Sequence, residues 1–187
     1  MVLSRLIRIL VCGTAVLTAA HALAQQPAKV DMKRLLNADK EPGQWMSHDR
    51  TFGEQYFSPL KKITDKNVGK LGLAWFADYD TNLSQQGTPL YIDGVIYAST
   101  AWSKVYAFDA KTGAQRWEFK LDNGGQQAGG LLVADGKVIS NRTCEQGKRE
   151  NCFIAANDAK TGRLVWKFFT TAAPGELGGD TWGDVPL

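Results

Sequence analysis

The stretch that decides the fold occurs twice, as Val105-Tyr-Ala-Phe-Asp-Ala-Lys-Thr-Gly-Ala-Gln-Arg-Trp117 and as Ile154-Ala-Ala-Asn-Asp-Ala-Lys-Thr-Gly-Arg-Leu-Val-Trp166. The copies are 49 residues apart. Each reads as a strand, an Asp-Ala-Lys-Thr-Gly turn and a second strand that ends in tryptophan. A period of this size is typical of repeat architectures. The sequence therefore predicts two structurally equivalent units.

Each unit begins with a second turn signal, at Asp93-Gly94 in the first copy and at Asp135-Gly136 in the second. Asp-Gly between short β-rich runs favours a two-residue hairpin, because both central positions need a positive φ. Each unit then has four antiparallel strands, which is the plan of one propeller blade. A β-sandwich with similar turns is the alternative interpretation.

The second unit contains an insertion. The Asp-Gly turns are 42 residues apart, whereas the repeated tryptophans are 49 apart, so the second unit has seven extra residues. They fall in the stretch from Cys144 to Cys152, which we expect to be a loop between strands.

The repeated motif, Ala-x-Asp-Ala-Lys-Thr-Gly-x-x-x-Trp, resembles the tryptophan-docking motif of the quinoprotein alcohol dehydrogenases. These are eight-bladed propellers that hold pyrroloquinoline quinone (PQQ) and a calcium ion. The resemblance covers nearly all of the chain after residue 42, including Phe57–Trp75 and Pro174–Trp182. In the family, the motif's alanine and glycine make room for a tryptophan between blades. The residues implied in docking are Ala107, Gly113 and Trp117, then Ala156, Gly162 and Trp166.

The resemblance implies an all-β fold, a propeller of the eight-bladed quinoprotein type, with about two blades present. One extra strand, Leu71–Tyr79, pairs with the final blade in the family. We expect a signal peptide over 1–24, an N-terminal extension over 25–42 and a partial propeller over 43–187.

This chain lacks two parts that the family has. Between Phe119 and Gly129 the family has another blade, with a cysteine pair and an arginine that contact the quinone. The family's aspartate base, asparagine calcium ligand and tryptophan floor would follow Leu187. We expect either a fragment of a longer gene product or a truncated protein, and the gap is either a deletion or a rearranged blade.

The N-terminus predicts export. Arg5 and Arg8 precede an apolar run that ends in Ala22-Leu-Ala24, as in a secretory signal peptide. A membrane-spanning helix is less favoured because polar residues interrupt the run. A lipid anchor at Cys12 is also disfavoured, because no small residue precedes it. We therefore expect a periplasmic protein without a membrane anchor.

Charge gives no indication of a nucleic-acid partner. Removal of residues 1–24 takes away Arg5 and Arg8 and no acidic residue, which lowers the formal net charge from +3 to +1. Proteins that bind nucleic acid concentrate positive charge on one face, and no basic run is present here.

The cysteines predict a disulfide bond. Signal-peptide removal leaves only Cys144 and Cys152, at the two ends of one loop. Such a pair forms readily in an oxidising compartment. So short a loop would gain about 2–3 kcal/mol of stability in the chain-entropy view. A metal site is the alternative, but no nearby histidine or further cysteine completes one.

The resemblance implies two cofactor contacts. Gln86 occupies the position of a family glutamate that hydrogen-bonds the quinone, and its amide can still donate and accept without a charge. Glu145 lies near a family glutamate that binds calcium, and calcium prefers oxygen ligands. The alternatives are an ordinary strand-end glutamine and a solvated loop glutamate, since the spacing from Glu145 to Asp158 is two residues longer than expected.

The remaining aromatic and histidine residues favour structural roles. Trp45, Trp75 and Trp102 lie in or beside strand-like runs and are expected to pack. His48 is expected at the surface, because no nucleophile or acid constellation surrounds it.

The leading hypothesis is the N-terminal portion of an exported PQQ- and calcium-dependent alcohol dehydrogenase that passes electrons to a cytochrome c. Whether this chain is itself an enzyme stays open, because the catalytic part of the family is missing, and we expect the isolated chain to be inactive. The alternative is a non-enzymatic propeller scaffold, like the outer-membrane-assembly proteins that share this repeat.

Overall fold

A computed structural model describes residues 28–83, 85–120, 129–142 and 149–183. Within them, eight strands form two four-stranded antiparallel sheets, each with its strands in chain order. Blade 1 consists of β1 (Leu90–Ile92), β2 (Val95–Thr100), β3 (Lys104–Asp109) and β4 (Gln115–Phe119). Blade 2 consists of β5 (Leu132–Ala134), β6 (Lys137–Asn141), β7 (Phe153–Asp158) and β8 (Leu164–Phe169). The predicted four-stranded blades are confirmed.

Helical structure is limited to short pieces outside the strands. The one α-helix of the described residues is α1 (Met32–Leu36), which Asp31 caps by accepting a hydrogen bond from the Arg34 backbone N–H. The remaining pieces are 3₁₀ turns, at Ala38–Lys40, Val68–Lys70, Ala101–Ser103, Arg149–Asn151 and Gly179–Trp182.

The Asp-Gly hairpin turns have the backbone that the sequence predicts. In blade 1, φ is 51° at Asp93 and 80° at Gly94, and in blade 2 it is 44° at Asp135 and 71° at Gly136. Two successive positive φ values match the right-handed twist of the flanking strands, so each turn holds its hairpin in register.

The Asp-Ala-Lys-Thr-Gly turns are closed by their aspartates. In blade 1, Asp109 Oδ1 accepts hydrogen bonds from the backbone N–H groups of Lys111 (3.0 Å) and Thr112 (2.9 Å) and from the Thr112 hydroxyl (3.0 Å). Asp158 accepts the equivalent three in blade 2. The Thr161 hydroxyl contributes most to holding the pKa of Asp158 below its usual range. Both turns thus use the same local chemistry.

The two blades are joined by the stacking of one tryptophan on a glycine. A Cβ atom at Gly162 would lie 2.8 Å from the Trp117 ring, so only glycine leaves room for the indole. Trp117 Nε1–H also donates to the carbonyl oxygen of Ala159 at 3.0 Å, and the Tyr97 hydroxyl donates to the same oxygen at 3.2 Å. Blade 2 therefore follows blade 1 directly in space.

Trp75 docks on blade 1 in the same way. A Cβ at Gly113 would lie 2.6 Å from the Trp75 ring, and Trp75 Nε1–H donates to the carbonyl of Ala110 at 3.0 Å. The sequence predicts only a packing role for Trp75, without naming its docking partner. A spacing signal was available: Trp75 precedes Gly113 by 38 residues, and the corresponding blade 2 spacing of 45 differs by the seven-residue insertion.

Trp166 is the equivalent of Trp117. Trp117 pairs with Ala107 and Trp166 with Ala156, and in both blades the register shifts immediately after this pair. Trp117 is 8% exposed and Trp166 is 39% exposed. The difference arises because no described residue supplies a further turn on which Trp166 could dock.

The segment 71–79 shows strand-like alternation without a regular strand. Trp75, Ala77 and Tyr79 are half-buried, while the residues between them are exposed. A strand needs a hydrogen-bonded neighbour. The resemblance puts that neighbour in the final blade, and the described residues supply none.

An N-terminal strap, defined as residues 28–46, contacts both blades. Arg34 forms two hydrogen bonds with the Asp93 carboxylate, at 2.6 and 3.0 Å, and two with Glu41, at 2.8 and 2.6 Å. The Arg34 guanidinium holds the pKa of Asp93 below its usual range. Trp45 exchanges backbone hydrogen bonds with Tyr91 of β1. The strap is thereby fixed to blade 1.

The strap reaches blade 2 through its backbone. The N–H groups of Asp135 and Gly136 donate to the carbonyls of Val30 (2.8 Å) and Ala28 (3.0 Å). Ala28 and Val30 are buried in the same apolar core as the strand residues. The predicted N-terminal extension therefore contributes core residues to the propeller segment.

The docking contact predicts that two glycine substitutions lower the stability of the fold by unequal amounts. Gly162→Ala is expected to lower the free energy of unfolding by about 2–4 kcal/mol, from left-handed backbone strain plus overpacking against Trp117. Gly94→Ala is the matched control, because its φ is also positive but no atom lies within 4 Å of the new Cβ. It should cost only about 1 kcal/mol. Equal losses in urea unfolding would contradict the docking account.

Candidate functional site

One end of the two blades forms a candidate site, called the rim here. It consists of residues 85–88, 99–103, 129–131 and 141–142. Antiparallel pairing of Leu90 with Tyr97 brings the start of β1 beside the end of β2, and pairing of Leu132 with Ile139 does the same in blade 2. The rim therefore lies opposite the Asp-Gly turns and the strap.

Glycines let the two blades approach backbone to backbone at the rim. A Cβ at Gly87 would lie 2.5 Å from Ser99 Oγ and 3.2 Å from the Cα of Gly130. Ser99 Oγ donates to the Gly129 carbonyl at 3.3 Å, which links β2 to the entry of blade 2. Because glycine has no side chain, the backbones of the two blades pack directly against each other along this strip.

Polar side chains border this strip. Gln86 is exposed and makes no hydrogen bond within the described part of the chain. Asn141, the last residue of β6, is also exposed, and its amide oxygen lies 3.6 Å from the position of a Cβ at Gly129. Arg142 follows and is buried. The rim thus offers exposed amide groups beside the glycine backbone.

Trp102 occupies a strained turn at the rim. Its φ is 66° and that of Ser103 is 55°, so two successive non-glycine residues adopt the left-handed region. Trp102 is 40% exposed, whereas the sequence analysis expected a packing residue. Strain of this kind persists only where the surrounding structure enforces it, and here Ala101 and Ser103 are buried on either side.

The position of the predicted metal ligand relative to the rim is not part of the described structure. Glu145 lies outside the described residues, and so does Cys144. Within the described ranges, no three histidine, cysteine, aspartate or glutamate side chains cluster as metal ligands. The structure therefore places Gln86 at the rim and leaves the role of Glu145 a prediction.

His48 lies at the surface, as predicted. Its Nε2 atom is 2.6 Å from the Tyr56 hydroxyl and 3.6 Å from Asp49 Oδ1. A hydrogen bond with Asp49 is the main cause that raises the pKa of Tyr56. This group lies on residues 48–56, which are not part of the rim.

Cys152 is buried and disulfide-bonded. It stands immediately before β7, at the end of the connection from β6, where the sequence predicts the insertion. Arg149 holds this connection against the segment after β8, by donating to the Thr171 carbonyl at 2.8 Å and to Glu176 at 2.8 and 3.0 Å. The pairing of Cys152 with Cys144 stays a prediction.

Two blades of identical strand plan, joined by a tryptophan on a glycine, define a segment of a β-propeller. The sequence family described as "Glucose/ethanol/alcohol dehydrogenase, beta-propeller domain" matches residues 45–131. Among the described residues, no helix has the length and apolar character needed to cross a lipid bilayer.

Similar proteins agree with the family match. The dehydrogenase subunit of alcohol dehydrogenase (quinone) from Komagataeibacter europaeus is 45% identical over 77% of this chain and 20% of its own length. The 1-butanol dehydrogenase (cytochrome c) of Thauera butanivorans is 30% identical over 67% of this chain and 18% of its own. The solved quinohemoprotein alcohol dehydrogenase ADHIIG of Pseudomonas putida is 39% identical, with a TM-score of 0.72 over 80% of this chain and 22% of its own.

The chain belongs with the PQQ-dependent alcohol dehydrogenases and corresponds to an N-terminal part of their propeller. It spans about a fifth of the length of the curated relatives that it matches.

The cysteines give a chemical test of the insertion loop. Thiol titration of unreduced, denatured residues 25–187 is expected to find no free thiol, because the pair Cys144–Cys152 accounts for both cysteines. Cys152→Ser is the matched variant, and it should release one thiol. Two free thiols in the parent protein would contradict the pairing.

Proposed function

We propose that this chain is the N-terminal portion of an exported, periplasmic PQQ-dependent alcohol dehydrogenase. Blades 1 and 2 would form part of the propeller wall, and the rim would face the cofactor. The observation that carries the proposal is the docking of Trp117 on Gly162 in a chain that is 45% identical to a quinone-linked alcohol dehydrogenase. Transfer of electrons to a cytochrome c is proposed from the name of the Thauera butanivorans relative.

The exposed amides of the rim are suited to an oxygen-rich cofactor such as PQQ. Gly87, Gly129 and Gly130 bring the backbones of the two blades together at the rim, and the exposed side chains of Gln86 and Asn141 border this contact. Gln86 and Asn141 could donate hydrogen bonds to quinone or carboxylate oxygens from either side. PQQ, when bound, would supply the two-electron acceptor for alcohol oxidation. The residues named here would bind and orient it.

Calcium does not fit the described residues by themselves. A calcium ion takes six to eight oxygen ligands, often from several carboxylates. The described ranges gather no such cluster, and the proposed ligand Glu145 lies outside them. Any calcium site would therefore need ligands beyond the described residues.

The alternative is a non-enzymatic propeller scaffold of the outer-membrane-assembly type. Specific binding of PQQ at the rim distinguishes the two functions, because a non-enzymatic scaffold needs no quinone site.

A PQQ titration of residues 25–187, followed by tryptophan fluorescence, tests the proposal. PQQ should quench the fluorescence saturably, and Gln86→Ala should weaken the affinity about 2- to 12-fold, as expected for loss of one hydrogen bond of about 0.5–1.5 kcal/mol. Gln85→Ala is the matched control, since it removes the neighbouring exposed amide. Absence of saturable binding, or equal effects of the two variants, would favour the scaffold.

A second prediction concerns turnover. Purified residues 25–187, given PQQ and calcium, should show no dye-linked alcohol oxidation above a no-protein control. Hydride transfer from an alcohol needs a general base, and loss of such a base typically lowers the rate by about 10²- to 10⁴-fold. The described residues of the rim include no carboxylate that could act as this base. Substrate-dependent dye reduction by this chain would overturn the prediction.

A further inference from the structure

The strap joins the two blades at the end opposite the rim. It contacts the Asp93-Gly94 turn of blade 1 and the Asp135-Gly136 turn of blade 2, which are the equivalent hairpin turns of the two repeats. Each turn connects the first two strands of its blade. A segment that holds both turns therefore holds these two hairpins at a fixed separation.

Arg34 is the centre of the blade 1 attachment. Its side chain is only 11% exposed, and its guanidinium bridges Asp93 of the hairpin turn to Glu41 of the strap. The same Asp93 carboxylate accepts the backbone N–H of Ala28 at 3.0 Å, and the Asp93 backbone N–H donates to Gln44 Oε1 at 2.9 Å. Both ends of the strap thus converge on one residue, Asp93.

The attachment of the strap to blade 2 begins at Ala28, the residue whose backbone N–H binds Asp93. The Ala28 N–H donates to Asp93, while the Ala28 carbonyl accepts from Gly136. One peptide segment therefore links the two hairpin turns directly. Because Val30 accepts from Asp135 and is fully buried, this link is also anchored in the core.

Other described contacts between the blades are the Trp117 stack on Gly162, the hydrogen bonds of Trp117 and Tyr97 to the Ala159 carbonyl, and the hydrogen bond from Ser99 to the Gly129 carbonyl. Among the described residues, the strap is the segment that hydrogen-bonds the Asp-Gly turns of both blades. A clamp on those two turns would limit rotation of one sheet against the other, and so set how far apart the blade 1 and blade 2 sides of the rim lie.

We propose that Arg34 is a positioning residue for the rim: through Asp93 and Ala28 it fixes the angle between blades 1 and 2, and so places Gln86 opposite Asn141. Arg34 itself touches neither the rim nor any group bound there. The effect on blade angle stands independently, whereas the effect on PQQ rests on the proposed function.

The blade angle can be measured with two spin labels. Lys120→Cys and Phe168→Cys put the labels at exposed positions on the outer edges of blade 1 and blade 2, toward the rim end. Pulsed dipolar spectroscopy then gives the distribution of distances between them. In Arg34→Ala this distribution should broaden or shift. Lys33→Ala is the matched control, because it removes an exposed cation from the same helix and should leave the distribution unchanged.

PQQ affinity gives the second readout on the same variants without labels. If about one molecule in ten of Arg34→Ala keeps the native blade angle, the apparent affinity falls about tenfold. Arg34→Lys retains the charge but cannot make the paired hydrogen bonds, and it should give an intermediate affinity and distance distribution. Lys33→Ala should bind as the parent does.

The outcomes separate the two proposals. An unchanged distance distribution in Arg34→Ala overturns the positioning role, whatever happens to thermal stability or PQQ. If PQQ fails to bind the parent chain, the effect of Arg34 on PQQ affinity is contradicted together with the proposed function. A broadened distance distribution in Arg34→Ala would still support the effect of Arg34 on the blade angle. If Arg34→Ala does not fold, Asp93→Asn, which keeps the shape of the turn, replaces it, and the same comparison with Lys33→Ala decides.

Discussion

Every larger feature of this chain depends on the contact between an indole ring and a glycine of the following turn. The glycine is required twice over at Gly162. Its φ of 73° lies in the left-handed region, and any Cβ would overlap the Trp117 ring. The indole N–H then fixes the ring by donating to the carbonyl of Ala159. Blade 2 packs against blade 1 because Gly162, which has no side chain, leaves room for the large indole ring of Trp117.

The aspartate of each turn makes this contact reproducible. Asp109 and Asp158 tie down the backbone N–H groups that precede the glycine, so the glycine is presented at the same angle in both repeats. A turn closed by its own side chain needs no help from neighbouring blades. The docking turn therefore keeps its shape without its tryptophan, and the repeat can be copied along a chain.

The sequence predicted the features that depend on local chemistry. The Asp-Gly hairpins, the strand order within each blade and the place of the insertion all follow from turn residues and spacing. The role of Trp75 was missed because its acceptor turn belongs to a unit 38 residues away, and packing between units has no local signature. The strap was missed for the same reason: Arg34 and Asp93 are 59 residues apart and only the fold makes them neighbours. Of the candidate site, Gln86 is proposed through resemblance and its role stays a prediction, whereas the close approach of Gly87 to Gly130 is a tertiary contact that spacing cannot reveal.

The order of docking partners along the chain has a consequence for biosynthesis. Trp75 and Trp117 each precede the turn that receives them, by 38 and 45 residues. A chain that leaves a ribosome or a translocation pore therefore always exposes an indole before its receptor has emerged. Each newly completed blade covers the previous ring and presents its own, as Trp166 does here beside the exposed Leu164 and Phe168. The most recently completed blade therefore has an exposed apolar edge at every stage of synthesis. A pause in synthesis would leave this edge free to contact neighbouring nascent chains.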